Sequence, residues 1–299
     1  MLALAIIWVF FRAKPPTNGD DSFSSPSSDI DTTLYVKFAS SLTERLCLQF
    51  FDTDKDGRLS YDEAKAVTNI DNRFAGSSIR SFDELKYFTS LTEIPRDAFN
   101  SCPSLRSITM PPSVTRIGEG AFWGCNLLEH VKLNEGLKYI GLWCFTYSII
   151  KDIKLPESLE VIDQGAFYSC LNLQSITVPD SVKLIARNAF HNCYALTEAY
   201  IGNSVDSIGS AAFWGDEDLR KISLPSIKVL KEEDIFKPNN EGNNSNWELD
   251  TVIFRNGDPA GIPYSGHFSH ISSMKHVIVP PGTAQSYRDL GYPNVTEAQ

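Results

Sequence analysis

Asp52, Asp54 and Asp56 alternate ahead of Gly57, and Glu63 closes the run DTDKDGRLSYDE at residues 52 to 63. Alternating carboxylates, a glycine where the chain must turn sharply and a final glutamate suit a hard divalent cation. Calcium takes about six to eight oxygens at ~2.3–2.6 Å, and one glutamate can supply two of them. Counted along the loop, Asp52, Asp54, Asp56, the backbone carbonyl of Arg58, Ser60 and Glu63 fall at positions one, three, five, seven, nine and twelve. Leu59, at position eight, supplies the apolar residue that anchors such a loop. The expectation is a structural calcium site. The same acids could instead form a solvated turn that binds no metal.

Other reactive side chains point to little chemistry. The six cysteines are Cys47, Cys102, Cys125, Cys144, Cys170 and Cys193, with no C-x-x-C spacing for zinc. Buried free thiols are expected, with disulfides between neighbouring repeats as the alternative. His267 and His270 are spaced as H-x-x-H, but no carboxylate is placed to complete a metal site. A G-x-S-x-G nucleophile turn and a phosphate-binding glycine loop are both missing from the sequence. We read the chain as not an enzyme. Its net charge of −10 and scattered Lys and Arg disfavour nucleic acid, which is held by neutralised phosphates.

The elements behind these residues follow from a repeat. Phe99, Phe122, Phe145, Phe167, Phe190, Phe213 and Phe236 recur at gaps of 23, 23, 22, 23, 23 and 23 residues. Three residues after the phenylalanine comes Cys102, Cys125, Cys170 or Cys193, and six after it Leu105, Leu128, Leu173, Leu196 or Leu219. Alternating pairs such as Ile108/Met110, Val131/Leu133, Ile153/Leu155 and Ile176/Val178 then mark half-buried strands. A proline often ends the strand, and a second apolar pair such as Val114/Ile117 closes the unit. A unit of this length cannot bury its own apolar face, whereas stacked copies can. The expected fold is a repeat solenoid of short parallel strands with a 22–23 residue period.

The pattern A-F-x-x-C-x-x-L-x-x-I-x-L-P-x-S-V-x-x-I, nearly whole in 121–140 and 166–185, resembles the BspA-type leucine-rich repeats of bacterial surface proteins. The resemblance covers residues from about 79 to 283. It implies a leucine-rich-repeat solenoid, cell-surface or secreted, of a family associated with adhesion to host proteins or with no known role. Residues 52–63 in turn resemble the EF-hand calcium loop, within a small N-terminal helical segment.

The residue after each repeat phenylalanine is expected to point outward if the phenylalanine points inward. Trp123, Tyr168, His191 and Trp214 would then form an aromatic stripe, with Tyr147 and Tyr194 close by. Exposed rings favour binding, so these four are the expected contacts for a protein or glycan partner. Rings packed over the core as filler are the other reading. The strand face offers Thr109, Lys132, Lys154, Thr177, Tyr200 and Ser223 as a second outward surface.

The domain plan is an apolar start and Pro/Ser/Asp-rich linker at 1–31, read as a truncated export signal. A helical segment with the calcium loop occupies 32–72, the solenoid 73–246 and C-terminal capping repeats 247–299. The expectation is an exported, monomeric protein, with an architectural repeat spacer as the alternative function.

Overall fold

The computed structural model describes residues 34–226, 235–236, 249–257, 259 and 274–299. The segment at 1–31, the polar insertion at 237–248 and the His267–His270 pair lie outside the described residues.

The repeat phenylalanines stack on one another. Ring centroids of Phe99–Phe122, Phe122–Phe145, Phe145–Phe167, Phe167–Phe190 and Phe190–Phe213 lie 5.2 to 5.4 Å apart, with interplanar angles of 3 to 21°. Phe74, which the repeat spacing does not reach, continues the stack at 5.3 Å from Phe99. All these rings are fully buried. The cysteine position forms a second ladder. The thiols of Cys102, Cys125, Cys170 and Cys193 donate to the carbonyls of Phe74, Phe99, Phe145 and Phe167, at 3.0 to 3.3 Å. In these four coils a buried sulfhydryl thus ties the coil to the one before, and all six cysteines are free and buried.

The alternating pairs build two parallel sheets. The first contains β1 (Ser81–Phe82), β3 (Ser107–Thr109) and β5 (His130–Lys132). The second contains β8 (Ser175–Val178), β10 (Glu198–Ile201), β12 (Lys221–Leu224), β13 (Thr251–Phe254), β14 (His276–Val279) and β15 (Val295–Glu297). The closing apolar pairs make a third sheet. It is uninterrupted through β2 (Glu93–Ile94), β4 (Arg116–Ile117), β6 (Tyr139–Ile140), β7 (Val161–Ile162), β9 (Leu184–Ile185) and β11 (Ser207–Ile208). Serines two residues after the strand-ending prolines add a hydroxyl rung. Ser113, Ser158 and Ser181 donate to the carbonyls of Leu91, Leu137 and Leu159.

The strand ladder breaks at one coil. Residues 152–155 form no strand, although Ile153 and Leu155 are buried. This is the coil that follows Phe145, where the repeat gap is 22 rather than 23. Elsewhere the leucine amide closes a turn on the carbonyl three residues earlier, as in Leu128 to Cys125 and Leu173 to Cys170. Ile150 lies only two residues after Ser148, so that turn cannot close. The chain meets the strand layer out of register, and Val131 and Leu133, expected in the core, are only half-buried beside the break.

At the N-terminal end lie α1 (Ser41–Phe51) and α2 (Tyr61–Ala66). Ser40 caps α1, and Ser60 with Glu63 forms a capping box at α2. Phe51 packs edge-to-face on Phe88 at 5.5 Å, joining the helices to the first coils. A last helix, α3 (Ala284–Asp289), buries Tyr287 against Phe254 at 5.2 Å.

Candidate functional site

Two places gather the predicted residues. The first is the acidic loop between α1 and α2. Carboxylate oxygens of Asp52, Asp54 and Glu63 lie within 4.8 Å of one another. Ligands on opposite sides of a calcium ion are at most ~5 Å apart, so these three fit one coordination sphere. Ser60 reaches the same place, its hydroxyl donating to Glu63 Oε2 at 2.9 Å. Asp56 is not in that cluster. It accepts the Arg58 amide at 2.8 Å and pairs with the Tyr35 hydroxyl. The Arg58 guanidinium lies over the Tyr35 ring at 5.2 Å.

Backbone donors organise the loop. Asp52 accepts the amides of Lys55 and Gly57, at 2.7 and 3.0 Å. Lys55 and Gly57 have φ of 61 and 82°, the sharp bend that the glycine announces. Burial pushes the Glu63 carboxyl up, but the amides and hydroxyls of Ser60 and Thr53 outweigh it and hold the pKa at about 2. The loop is also steadied from outside. Tyr35 bridges Ser60 antiparallel, the Val36 amide donates to Leu59 and the Tyr61 amide to Leu34. The Leu34–Val36 segment thus pairs with the end of the loop as a short bridge, a role the sequence reading missed.

The second place is an aromatic groove of about 560 Å³ on the turn side of the coils. Its geometry comes from two left-handed residues per coil. Two positions before each phenylalanine are Asp97, Gly120, Trp143, Gly165, Asn188 and Ala211, with φ of 53 to 59° or 61° for Gly165. Two positions after it are Ser101, Gly124, Tyr147, Ser169, Asn192 and Gly215, all with positive φ. These bends turn three amides of a coil toward the next one, as with Gly120 to Leu142, Phe122 to Cys144 and Gly124 to Thr146.

The earlier position alternates large and small. Asp97 lies over Gly120, and the Trp143 indole lies over Gly165. A Cβ on Gly165 would come within 2.2 Å of that ring. The rings then form a path along the solenoid. Trp123–Tyr147 and Tyr147–Tyr168 are 6.2 Å apart, Tyr168–His191 4.7 Å and His191–Trp214 5.2 Å. Trp143 joins edge-on to Tyr168 at 5.3 Å.

The predicted stripe is therefore assembled but not uniformly outward. Trp123 is 41% exposed, Tyr168 and Trp214 are half-buried, and His191 is only 8% exposed, stacked between its neighbours. Thr146, in the same repeat position, is buried with its hydroxyl on the Gly165 carbonyl. The alternation rule belongs to strands, and these residues sit in a left-handed turn. Trp143 and Tyr147 fill the gap that Thr146 leaves. Sequence reasoning missed Trp143, whose signal was the alternation D, G, W, G, N, A before the phenylalanines.

Around the rings, Arg96 pairs with Asp97 at 3.3 Å and with Glu119 at 3.0 Å. Asn100 donates to Asp97 at 2.8 Å. At the other end stand Arg187 and Asn188. On the strand face, a polar hollow of about 720 Å³ opens beside the break, between Lys132 and Lys154. Ser223, expected outward there, is buried because Arg255 crosses it and donates to its hydroxyl at 2.7 Å.

Stacked parallel coils, a phenylalanine ladder and a period of 22–23 residues define a leucine-rich-repeat solenoid. The profile of the BspA type leucine rich repeat region matches residues 67–197 and 143–240 in six copies, more than half of the sequence. The chain belongs to that family. Among solved structures it is similar to a leucine-rich repeat protein from Bacteroides ovatus, at 22% identity over 74% of this chain and 64% of that one, with a TM-score of 0.45. This chain thus spans less than two thirds of that protein's length. A T. pallidum leucine rich repeat protein is 22% identical over 70% of this chain and 81% of that one, with a TM-score of 0.36. A leucine rich cell surface protein from Faecalibacterium prausnitzii is 19% identical over 75% and 85%, with a TM-score of 0.27. Comparison with curated proteins gives no match. Among the described residues, no helix is long and apolar enough to cross a membrane.

Proposed function

We propose that this chain is a non-enzymatic binding protein, exported to the cell surface or secreted, whose solenoid presents the aromatic groove to a host protein or glycan. The observation that carries this reading is the ring path from Trp123 to Trp214, which spans successive coils and borders an open groove. Tryptophan and tyrosine bury large areas at small entropic cost, which is why they dominate binding hot spots. Calcium has a structural part in this reading. Asp52, Asp54 and Glu63 would hold it with Ser60 and the Arg58 carbonyl, and Asp56 would swing from Tyr35 to join them. The ion would supply a fixed positive centre for a loop of repelling carboxylates.

The test is binding of labelled full-length protein to a panel of matrix proteins and glycans, with calcium and then with EDTA. A Trp123→Ala/Trp214→Ala variant, shown to be folded by circular dichroism, accompanies it. Saturable binding lost in the folded variant supports the groove. Binding that survives the change moves the contact to the strand face. The close stacking of His191 between Tyr168 and Trp214 favours the alternative of an architectural spacer, and failure to bind anything leaves that reading ahead.

A further inference from the structure

Resting on the groove as the binding surface, we propose that its ligand is a carboxylated pyranose, a uronic or sialic acid residue of an acidic glycan. The sugar ring lies on the indole and phenol faces, and its carboxylate meets Arg187.

The two ends of the groove differ in chemistry. At the first, Asp97 and Glu119 are acceptors that share a single cation, Arg96. Such carboxylates keep lone pairs free for ligand hydroxyls. At the second, Arg187 is exposed and, among the described residues, its guanidinium has no hydrogen bond or ion pair. A guanidinium beside an aromatic wall presents a planar fork that matches a carboxylate in bidentate fashion. Several described cations lack an ion pair, but Arg187 is the one arginine or lysine among the residues lining the groove.

Between the ends, Trp123, Trp143 and Tyr147 offer faces for the C–H surface of a sugar. Tyr147 and Tyr168, their rings 6.2 Å apart, add hydroxyls. A ligand with hydroxyls at one end and a carboxylate at the other satisfies both sets of groups. A proline-rich peptide, the other usual occupant of aromatic grooves, lacks the donors that Asp97 and Glu119 ask for.

The experiment is calorimetric titration of the intact chain with a galacturonic acid trimer, its methyl ester, sialyllactose and a proline-rich peptide. Wild type is compared with Arg187→Gln and Trp143→Ala, with thermal melts to check folding. Because the Arg187 side chain makes no such contact, Arg187→Gln should melt with wild type. The expected result is an acidic sugar bound at least ~10-fold more tightly than its neutral counterpart. That preference should fade with salt and vanish in Arg187→Gln, while Trp143→Ala weakens every saccharide. Preference for galacturonate or for sialyllactose identifies the source of the carboxylate. Equal affinity for acid and ester, or no effect of Arg187→Gln, overturns the carboxylate assignment and leaves the groove reading standing. Binding of the peptide in place of any saccharide overturns it in favour of a protein partner. If no probe binds and no partner from the panel depends on the rings, the groove reading fails as well.

Discussion

Asp216 occupies the ladder position that holds cysteine in four other coils, and it is fully buried. Its Oδ1 accepts the Cys193 amide at 2.8 Å, and its Oδ2 has no hydrogen-bond partner among the described residues. Burial pushes this carboxyl well above the usual range, with the Cys193 amide opposing. The folded chain therefore favours the protonated form more than the unfolded chain does, which releases the proton near pH ~3.9. Stability from this site is full below that pH and falls as the pH rises toward the folded pKa. Asp216→Cys restores the thiol rung. It should raise stability at pH 7 by about 1–3 kcal/mol and flatten the neutral-pH slope, as denaturant titrations between pH 4 and pH 8 would show. An unchanged slope would mean that Asp216 is not the group responsible. Glu63 runs the other way. Its pKa near 2 contributes stability above about 4.3, the unfolded value, which is lost as the pH falls through 2.

At the scale of the element, one missing residue explains the interrupted strand sheet. Placing a single glycine or serine between Ser148 and Ile149 restores the 23-residue spacing and lets the turn close. Two or three ladder hydrogen bonds at ~0.5–1.5 kcal/mol each should then form. The expected readout is a higher melting temperature, with amide exchange slowed at residues 152–155. Exchange there as fast as in wild type would show that the break has another cause. The loop between α1 and α2 gives a second prediction at this scale. Glu63→Gln keeps a side chain able to complete the capping box of α2 but removes the chelating charge. Calcium affinity should fall more than ~10-fold, and calcium-free stability near pH 7 should fall by the share that the hydrogen-bonded Glu63 carboxylate contributes. Titration with terbium or calcium measures the first and melts in EDTA the second. Retained affinity in this variant would remove Glu63 from the proposed calcium site.

For the whole molecule, stability is a sum over neighbouring coils, because each ring in the middle of the phenylalanine stack lies against the rings of the adjoining coils. Phe167→Ala empties one rung and should cost about 3–5 kcal/mol. The loss should be local at first. Amide exchange would rise around the coils of Phe145 and Phe190 before it rises at Phe99 or Tyr287, as a nearest-neighbour array requires. Uniform loss of protection along the chain would instead show that the solenoid unfolds as one unit. A mid-stack defect therefore also tests whether the groove, which crosses these same coils, can open without loss of the ends.

The sequence by itself determined the period, the ladders and the inward faces, because those depend on which residues recur in register. Phe122, Cys125, Leu128 and Ile140 stand where the spacing puts them. It also determined the acidic loop as a chain-local pattern of carboxylates and glycine. The deletion was visible too, as the single gap of 22, although the break in the strand ladder was not. Only the tertiary structure decided what the turns do. Left-handed residues on both sides of each phenylalanine buried His191 and Thr146, brought Trp143 onto Gly165 and closed the ring path. A ring's exposure depends on the coil stacked beside it, and one repeat read alone contains no such neighbour. The same holds for Leu34–Val36 and Ser223, whose places are fixed by partners far along the chain. Recurrence reveals which positions are equivalent. Contact between unlike positions on adjacent coils arises only when the coils are stacked.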